Sequence, residues 1–160
     1  MSEIGQLTAV QLLQHFRDQT LSPVEVTEDA LLRIERYNPR VNAYCHVDPE
    51  GALNAARASE ARWLKGEPCG ALDGVPASIK DLTLTLGMPT RKGSRTSSAD
   101  GPWAVDAPFP ALMRKAGAVL LGKTTTPEFG WKGVTDNPLY GITRNRSEEH
   151  TSELQSPSGS

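Results

Sequence analysis

The segment Leu72-Asp73-Gly74-Val75-Pro76-Ala77-Ser78-Ile79-Lys80-Asp81 decides how this chain is interpreted. Within residues 75–80, apolar side chains alternate with other side chains, and this period of two predicts a β-strand. A glycine and a proline restrict the turn by which the chain enters the strand. The strand ends on Lys80. Because the pKa of a lysine falls readily on burial, the segment places a candidate amine base at a strand terminus.

Spacing alone favours the plainer interpretation, since a lysine that closes a strand is usually a solvated surface residue. Four further blocks of sequence change that balance. They are residues 87–94 (Gly-Met-Pro-Thr-Arg-Lys-Gly-Ser), 112–124 (Leu-Met-Arg-Lys-Ala-Gly-Ala-Val-Leu-Leu-Gly-Lys-Thr), 126–131 (Thr-Pro-Glu-Phe-Gly-Trp) and 140–145 (Tyr-Gly-Ile-Thr-Arg-Asn). Together with Gly74-Val75-Pro76-(x3)-Lys80-Asp81, these blocks resemble, in family order, the amidase signature family of serine amidases.

The resemblance covers most of residues 1–145 and implies an α/β fold, a mixed sheet covered by helices. Residues 1–145 would be the N-terminal part of an amidase domain that is incomplete at its C-terminus. In that family a serine attacks the carbonyl of a carboxylic amide, and its proton passes through a second serine to a lysine. Lys80 is the member of this Ser-Ser-Lys triad that can be carried over. The implied activity is amide hydrolysis through an acyl-serine intermediate, with a small-molecule amide as substrate and with no cofactor or metal.

The sequence departs from the family pattern after residue 145. The family's serines lie in a loop of the type Gly-Gly-Ser-Ser-Gly-Gly, which should follow a Thr-Arg-Asn-Pro-Trp segment. Here Thr143-Arg144-Asn145 is followed by neither Pro-Trp nor that loop. We therefore expect residues 1–160 to lack the nucleophile and bridging serines and to be inactive, although the resemblance implies that the intact parent is an amidase.

Residues 146–160 resemble a translated sequencing adapter. Apart from Leu154, this tail contains no large apolar side chain, so it cannot repay the conformational entropy of ordering. We expect it to be a disordered, artefactual tail, and a natural polar tail is the alternative.

Two alternatives to a free-standing amidase stay open. One is the A subunit of a tRNA-dependent glutaminyl/asparaginyl amidotransferase, but those subunits carry Asp-Glu-Phe-Ala-Met-Gly where residues 126–133 are Thr-Pro-Glu-Phe-Gly-Trp-Lys-Gly. This difference favours a general amidase. The other is a non-catalytic binding fragment, which is disfavoured because strands such as residues 118–121 would lack neighbours from the missing half.

Two other motifs point to chemistry that we reject. Residues 117–124, Gly-Ala-Val-Leu-Leu-Gly-Lys-Thr, match a P-loop pattern, but their apolar centre predicts a buried strand rather than a phosphate-binding loop. Ser78 lies two residues before Lys80 and would share its face of the strand, so a serine–lysine dyad is conceivable. The resemblance places the reactive serines elsewhere.

Capping motifs and apolar spacing predict the flanking elements. The predictions are a helix opened by a Thr8–Gln11 capping box, a helix from Pro23 to about Tyr37 ended by Asn38-Pro39, a strand within residues 41–47, a helix over residues 52–64 opened by Asp48-Pro49 and closed near Gly66, a helix over residues 106–116 and a strand over residues 118–121.

Composition excludes several classes of function. The formal net charge is −2 with both signs interspersed, so we expect no nucleic-acid partner and no membrane surface. Cys45 and Cys69 lie apart, without the spacing of a disulfide framework or a zinc site. A cytoplasmic location follows as an expectation. Substrate-binding residues and oligomeric state are not determined by the sequence.

Overall fold

Helices and strands alternate along the chain, in the α/β arrangement expected from the sequence. The computed structural model describes residues 4–145. The elements are α1 (Ala9–Arg17), α2 (Pro23–Val41), β1 (Tyr44–Val47), α3 (Pro49–Lys65), β2 (Pro76–Lys80), α4 (Pro108–Lys115), β3 (Val119–Thr124), β4 (Asp136–Asn137) and β5 (Gly141–Ile142), with short 3-10 turns at Ile4–Gln6 and Glu128–Gly130.

Side chains just before each of the first three helices fix where the helix begins. The Thr8 hydroxyl accepts the Gln11 N–H at 3.3 Å, while the Gln11 side chain accepts the Thr8 N–H at 2.8 Å. A second capping box, formed by the residue before Pro23 and its N3 glutamate, opens α2. Asp48 accepts the Gly51 N–H at 3.0 Å to open α3. These contacts satisfy N–H groups that have no partner within the helix, so the predicted helix starts are confirmed.

The predicted end of α2 is wrong, because the helix continues through Pro39 to Val41. Asn38 does not break the helix. Its Oδ1 accepts the N–H groups of Ala43 and Tyr44, both at 2.8 Å, just beyond the helix. Asn42, in the left-handed conformation, then closes α2 by donating its N–H to Asn38 O at 2.7 Å. A proline one turn before a helix end removes one hydrogen bond, which this capping arrangement offsets.

The main sheet has three strands in the order β1-β3-β2, with β3 antiparallel to β1 and parallel to β2. Its central strand β3 is buried from Val119 to Lys123. Val119 and Leu121 pack against Ala52 and Ala56 of α3. The opposite face carries a second apolar cluster. Its buried members are Ile79, Met88, Ala118 and Leu120. The sheet is therefore covered by helices on one face and largely by loop residues and α4 on the other.

A bulge interrupts β3 opposite β2. Ala77 pairs with Leu120 and Ile79 pairs with Lys123, so β3 uses three residues where β2 uses two. The extra residue reverses the alternation of side chains and turns Lys123 towards the face occupied by Leu120. Gly122 makes the bulge possible because a Cβ there would lie 2.2 Å from the His46 carbonyl oxygen.

The segment from 135 to 145 returns to the beginning of the sheet. β4 and β5 form a short antiparallel hairpin. The Asn42 amide donates to the carbonyl oxygens of Tyr140 at 2.7 Å and Ile142 at 3.2 Å. Arg144 donates its N–H to Val41 O at 2.7 Å, and the Thr143 and Thr125 hydroxyls lie 2.6 Å apart. The hairpin is thus fixed to the ends of α2 and β3.

An apolar groove of about 720 Å³ lies between α2 and the segment that joins β1 to α3. Its apolar lining includes Leu31, Ile34, Val47 and Leu53, and Leu32 on its rim is 64% exposed. Across residues 4–145, no helix is both long and apolar enough to cross a bilayer. Cys45 is half-buried and Cys69 is exposed, and both are free thiols.

Candidate functional site

Lys80 is the last residue of β2, as predicted, and it is paired with Thr124 at the end of β3. Because the two strands are parallel, their carboxyl ends meet at the same edge of the sheet. In open α/β sheets this is the edge at which ligands bind. Ile79 is fully buried, whereas Lys80 is exposed. The strand therefore anchors the backbone of Lys80 while its side chain stays accessible.

The side chain of Lys80 is exposed in the described part of the chain, and the prediction of a desolvated lysine concerns the intact parent. β2 is an edge strand among the described residues, so no further strand covers its outer side there. The apolar side chain before Lys80 packs into the core, and Lys80 lies beyond the covered part of the sheet. Any burial of the Lys80 side chain in the intact parent would therefore come from residues outside 4–145.

Asp81, directly after Lys80, is fully buried, and it forms hydrogen bonds with the segment that follows it. Its carboxylate accepts the N–H groups of Arg91 at 2.9 Å and Gly93 at 3.0 Å. Its own N–H donates to Thr124 O at 2.8 Å, and its carbonyl accepts the Lys92 N–H at 3.0 Å. Burial raises the pKa of Asp81 above its ordinary value, and the two backbone N–H groups partly oppose that rise. The turn after Lys80 is consequently held at its base.

Lys123 is the second lysine behind this turn, and sequence analysis assigned it no function. It is fully buried, and its Nζ donates to Thr83 O at 2.6 Å, Thr90 Oγ1 at 2.7 Å and Thr85 Oγ1 at 3.1 Å. Burial lowers its pKa from 10.5 to about 8, while the nearby Asp81 carboxyl opposes that fall. The sequence signal that marks this residue is a single charged side chain within the apolar strand β3.

Two further family blocks, residues 87–94 and 126–131, also meet at this end of the sheet. Ser94 is buried, and its hydroxyl donates to Glu128 Oε1 at 2.6 Å. The Phe129 N–H donates to Lys92 O at 2.8 Å. These bonds join the loop after Lys80 to the Thr-Pro-Glu-Phe-Gly-Trp block, so segments that lie 34 residues apart share one site.

The structure also describes the positions of Ser78 and of the P-loop pattern, the two candidates rejected on sequence grounds. Ser78 is half-buried, and its hydroxyl is hydrogen-bonded to the Tyr44 hydroxyl. Residues 119–124 of the P-loop pattern form strand β3, as predicted, and the amine of Lys123 is bound by oxygens of its own chain. Within residues 4–145, no group of three or more His, Cys, Asp or Glu side chains is placed to hold a metal ion. The predicted tail, residues 146–160, lies outside the described residues.

The family model named Amidase matches residues 25–160. The chain belongs to the amidase family. Among solved structures, this chain is similar to a bacterial aryl acylamidase of the amidase signature enzymes family, with a TM-score of 0.78 and 33% identity over 87% of this chain and 29% of that one. It is also similar to a chain of a vestigial protein complex associated with the origins of an s-triazine catabolic enzyme, with a TM-score of 0.84 and 31% identity over 89% of this chain and 31% of that one.

Curated relatives that match this chain in sequence are named as subunits of an amidotransferase. The A subunit of the glutamyl-tRNA(Gln) amidotransferase from Salinispora arenicola (strain CNS-205) is 41% identical over 145 residues, which are 91% of this chain. The chain spans 29% of the length of that relative. The expected family and fold class are therefore confirmed, and the fold is that of part of an amidase signature enzyme.

Proposed function

We propose that the protein to which this chain belongs hydrolyses carboxylic amides, with Lys80 as its catalytic base. The observation that carries the proposal is the position of Lys80 within its family motif, at the carboxyl ends of two parallel strands and with its side chain accessible. The family blocks at residues 87–94 and 126–131 converge on the same edge through Ser94 and Glu128. Family membership and this convergence both support amide hydrolysis.

In the proposed reaction, a serine hydroxyl attacks the amide carbonyl carbon. Its proton passes through a second serine to the Lys80 amine, which returns the proton to the departing amine or ammonia. Water then hydrolyses the acyl-serine ester. Both serines are expected in a Gly-Gly-Ser-Ser loop that the 160-residue sequence does not contain. The backbone N–H groups that stabilise the oxyanion are expected in the same loop. We therefore propose that the 160-residue chain itself does not turn over amides.

The test uses a longer protein in which Asn145 is followed by the serine loop. We expect it to release ammonia or an amine from simple aliphatic or aryl amides, and we expect Lys80→Ala to lower kcat/KM about a thousandfold. Lys65→Ala, at an exposed lysine on the last residue of α3, is the matched control and should leave the rate unchanged. Undiminished activity in Lys80→Ala would contradict the role of Lys80.

The second candidate is the A subunit of a tRNA-dependent amidotransferase, favoured by the names of the curated relatives. Residues 126–133 favour the free-standing amidase instead. The two candidates differ in their partners. The amidotransferase would require other subunits and a tRNA, whereas the free-standing amidase fits the expectation of no nucleic-acid partner. Ammonia release from glutamine that depends on co-purified subunits would select the amidotransferase. Hydrolysis of simple amides by the isolated polypeptide would select the amidase. The cytoplasmic location stays a prediction for both.

A further inference from the structure

Among residues 4–145, Lys123 is the only lysine whose side chain is buried. Its three oxygen partners all belong to the segment 83–90, which begins three residues after Lys80. Burying an amine costs free energy unless its hydrogen bonds are satisfied. Here one side chain from β3 connects the centre of the sheet to the loop that leaves Lys80.

The hydrogen-bond pattern around Lys123 matches a charged ammonium group. The Thr85 hydroxyl donates to Thr83 O at 3.0 Å, and the Thr90 hydroxyl donates to Thr83 O at 3.2 Å or to Met88 O at 3.5 Å. Both hydroxyls use their single proton in these bonds, so they accept from Lys123. Three acceptors require three N–H donors, which the ammonium group has and the neutral amine lacks.

The bulge at Gly122 gives Lys123 this orientation. Without the extra residue, regular alternation from Leu120 would place the side chain at 123 on the α3 face of the sheet. A bulge is a known means of redirecting a side chain beside a functional site. The local backbone and the cluster of oxygens therefore act together on one ammonium group.

We propose that Lys123 is a positioning residue for the Lys80 site. Its ammonium group holds residues 83–90, and the Asp81 carboxylate holds residues 91–93, so both ends of the loop that leaves Lys80 are fixed. The loop in turn fixes the direction in which the Lys80 side chain leaves the sheet. Its significance for catalysis rests on the proposed function, whereas its effect on the loop does not.

The test is performed on the 160-residue chain and measures no enzymatic activity. The reporter is hydrogen exchange at the Met88 amide, which donates to Thr85 O at 3.1 Å inside the loop. The reference is the Gly66 amide at the end of α3. We expect Lys123→Ala to accelerate Met88 exchange about tenfold, the effect of losing hydrogen bonds to a charged group, with little change at Gly66. In Lys123→Ala, the rate at which the Lys80 amine is acetylated should change relative to the rate at which the Lys65 amine is acetylated.

Chemical rescue distinguishes the loss of the charge at residue 123 from the loss of side-chain volume there. Propylammonium added to Lys123→Ala should slow Met88 exchange and return Lys80 acetylation towards the wild-type rate, whereas propanol of similar size should not. Lys123→Met, which fills the space without charge, should behave like Lys123→Ala. Wild-type behaviour of Lys123→Met would overturn the proposal, as would equal rescue by propanol or rescue by neither compound.

A milder variant tests the proposal if amides throughout the chain of Lys123→Ala lose their protection from hydrogen exchange. Thr90→Val removes one acceptor and keeps the side-chain shape. We expect it to accelerate Met88 exchange about fivefold and to leave the Gly66 amide unchanged. Unchanged Met88 exchange in Thr90→Val would overturn the proposal. A failed amide-hydrolysis assay in the longer protein leaves each of these results intact, so the two proposals fail separately.

Discussion

Asp73 is a fully buried carboxylate near the lysine motif, and it has a complete set of partners. It accepts Arg62 Nε at 2.8 Å, Arg62 Nη2 at 2.5 Å and the Cys69 N–H at 2.8 Å. Its carbonyl oxygen accepts the Trp63 indole N–H at 3.1 Å. These bonds join the end of α3 to the turn that enters β2. The backbone position of Lys80 therefore depends on an ion pair in another part of the chain.

Asp73→Asn should destabilise the chain at neutral pH by about 2 kcal/mol, because it leaves Arg62 without its charged partner. Burial alone would raise the pKa of Asp73, but the Arg62 hydrogen bonds hold it below the ordinary value of 3.8. A carboxylate with a lowered folded-state pKa contributes stability above its unfolded pKa and loses it as the pH falls through the folded value. The advantage of wild type over Asp73→Asn should therefore begin to fall below about pH 3.8 and be lost as the pH passes below the folded-state pKa of Asp73.

Urea unfolding of both proteins near pH 7 and near pH 3 measures that advantage. Asp100→Asn, at an exposed aspartate, is the control and should show no comparable loss. An equal difference between wild type and Asp73→Asn at both pH values would contradict the linkage.

Lys123 also has a lowered pKa, so its contribution to stability changes with pH in the same direction as that of Asp73, but in a higher pH range. Burial lowers its pKa to about 8, although Asp81, Cys45 and Asp106 oppose the fall, whereas an unfolded lysine keeps its proton to about pH 10.4. Between these values the unfolded chain binds the additional proton, so the stability of wild type should rise with pH relative to Lys123→Met. Burial raises the pKa values of Cys45 and Tyr140 to about 12. Tyr140 is present in both proteins and cancels, whereas Cys45 interacts with Lys123 and contributes to the difference. A free-energy difference that stays constant from about pH 7.5 to 10 would refute this prediction.

At the scale of single elements, the bulge in β3 depends on the absence of a side chain at 122. Gly122→Ala should destabilise the chain by about 2 kcal/mol or more, because the new Cβ would lie 2.2 Å from the His46 carbonyl oxygen and the two strands would have to separate. Gly133→Ala is the matched control, since nothing lies within 4 Å of a Cβ at that position. Thermal unfolding of the two variants compares them directly. Equal unfolding temperatures of Gly122→Ala and Gly133→Ala would show that the strands accommodate the new Cβ without loss of stability.

The elements that sequence predicted well are those whose signals are local. Asp48 and Gly66 mark the two ends of α3, and the period-two pattern before Lys80 gives β2. The end of α2 was missed because Asn38 bonds to residues beyond the helix. The position of Lys80 at the end of β2 followed from its motif, but the buried position of Lys123 did not. The face to which Lys123 points is set by a bulge that exists only when β3 is paired with two other strands.

At the scale of the whole molecule, the chain leaves apolar surface uncovered. The groove beside α2 includes Leu31, Ile34 and Leu53, with Leu32 largely exposed on its rim. Apolar patches of this kind favour association with other surfaces. The alternative of an independent binding fragment requires a chain that stays monodisperse and unfolds cooperatively.

We expect the 160-residue chain to associate as its concentration rises, and Leu32→Glu to reduce that association by placing a charge on the groove. Val10→Glu on α1 is the control, because Val10 is 76% exposed and does not line the groove. Sedimentation velocity over a range of concentrations measures the effect. A monodisperse wild-type chain with a cooperative thermal transition would contradict this expectation and favour the binding fragment.

The attachment of the β4–β5 hairpin to α2 also determines how the chain carries mechanical load. A force applied at Asn145 reaches the Arg144–Val41 bond, the Thr143–Thr125 hydroxyl pair and the Asn42 amide before it reaches the strands of the main sheet. The bonds of the Asn42 amide bridge about a hundred residues of sequence, so their rupture together with that of the other two contacts would release the hairpin while leaving the sheet intact. Tension on the end of the described chain would therefore be absorbed at the C-terminus of α2, and the strand that carries Lys80 would be shielded from it.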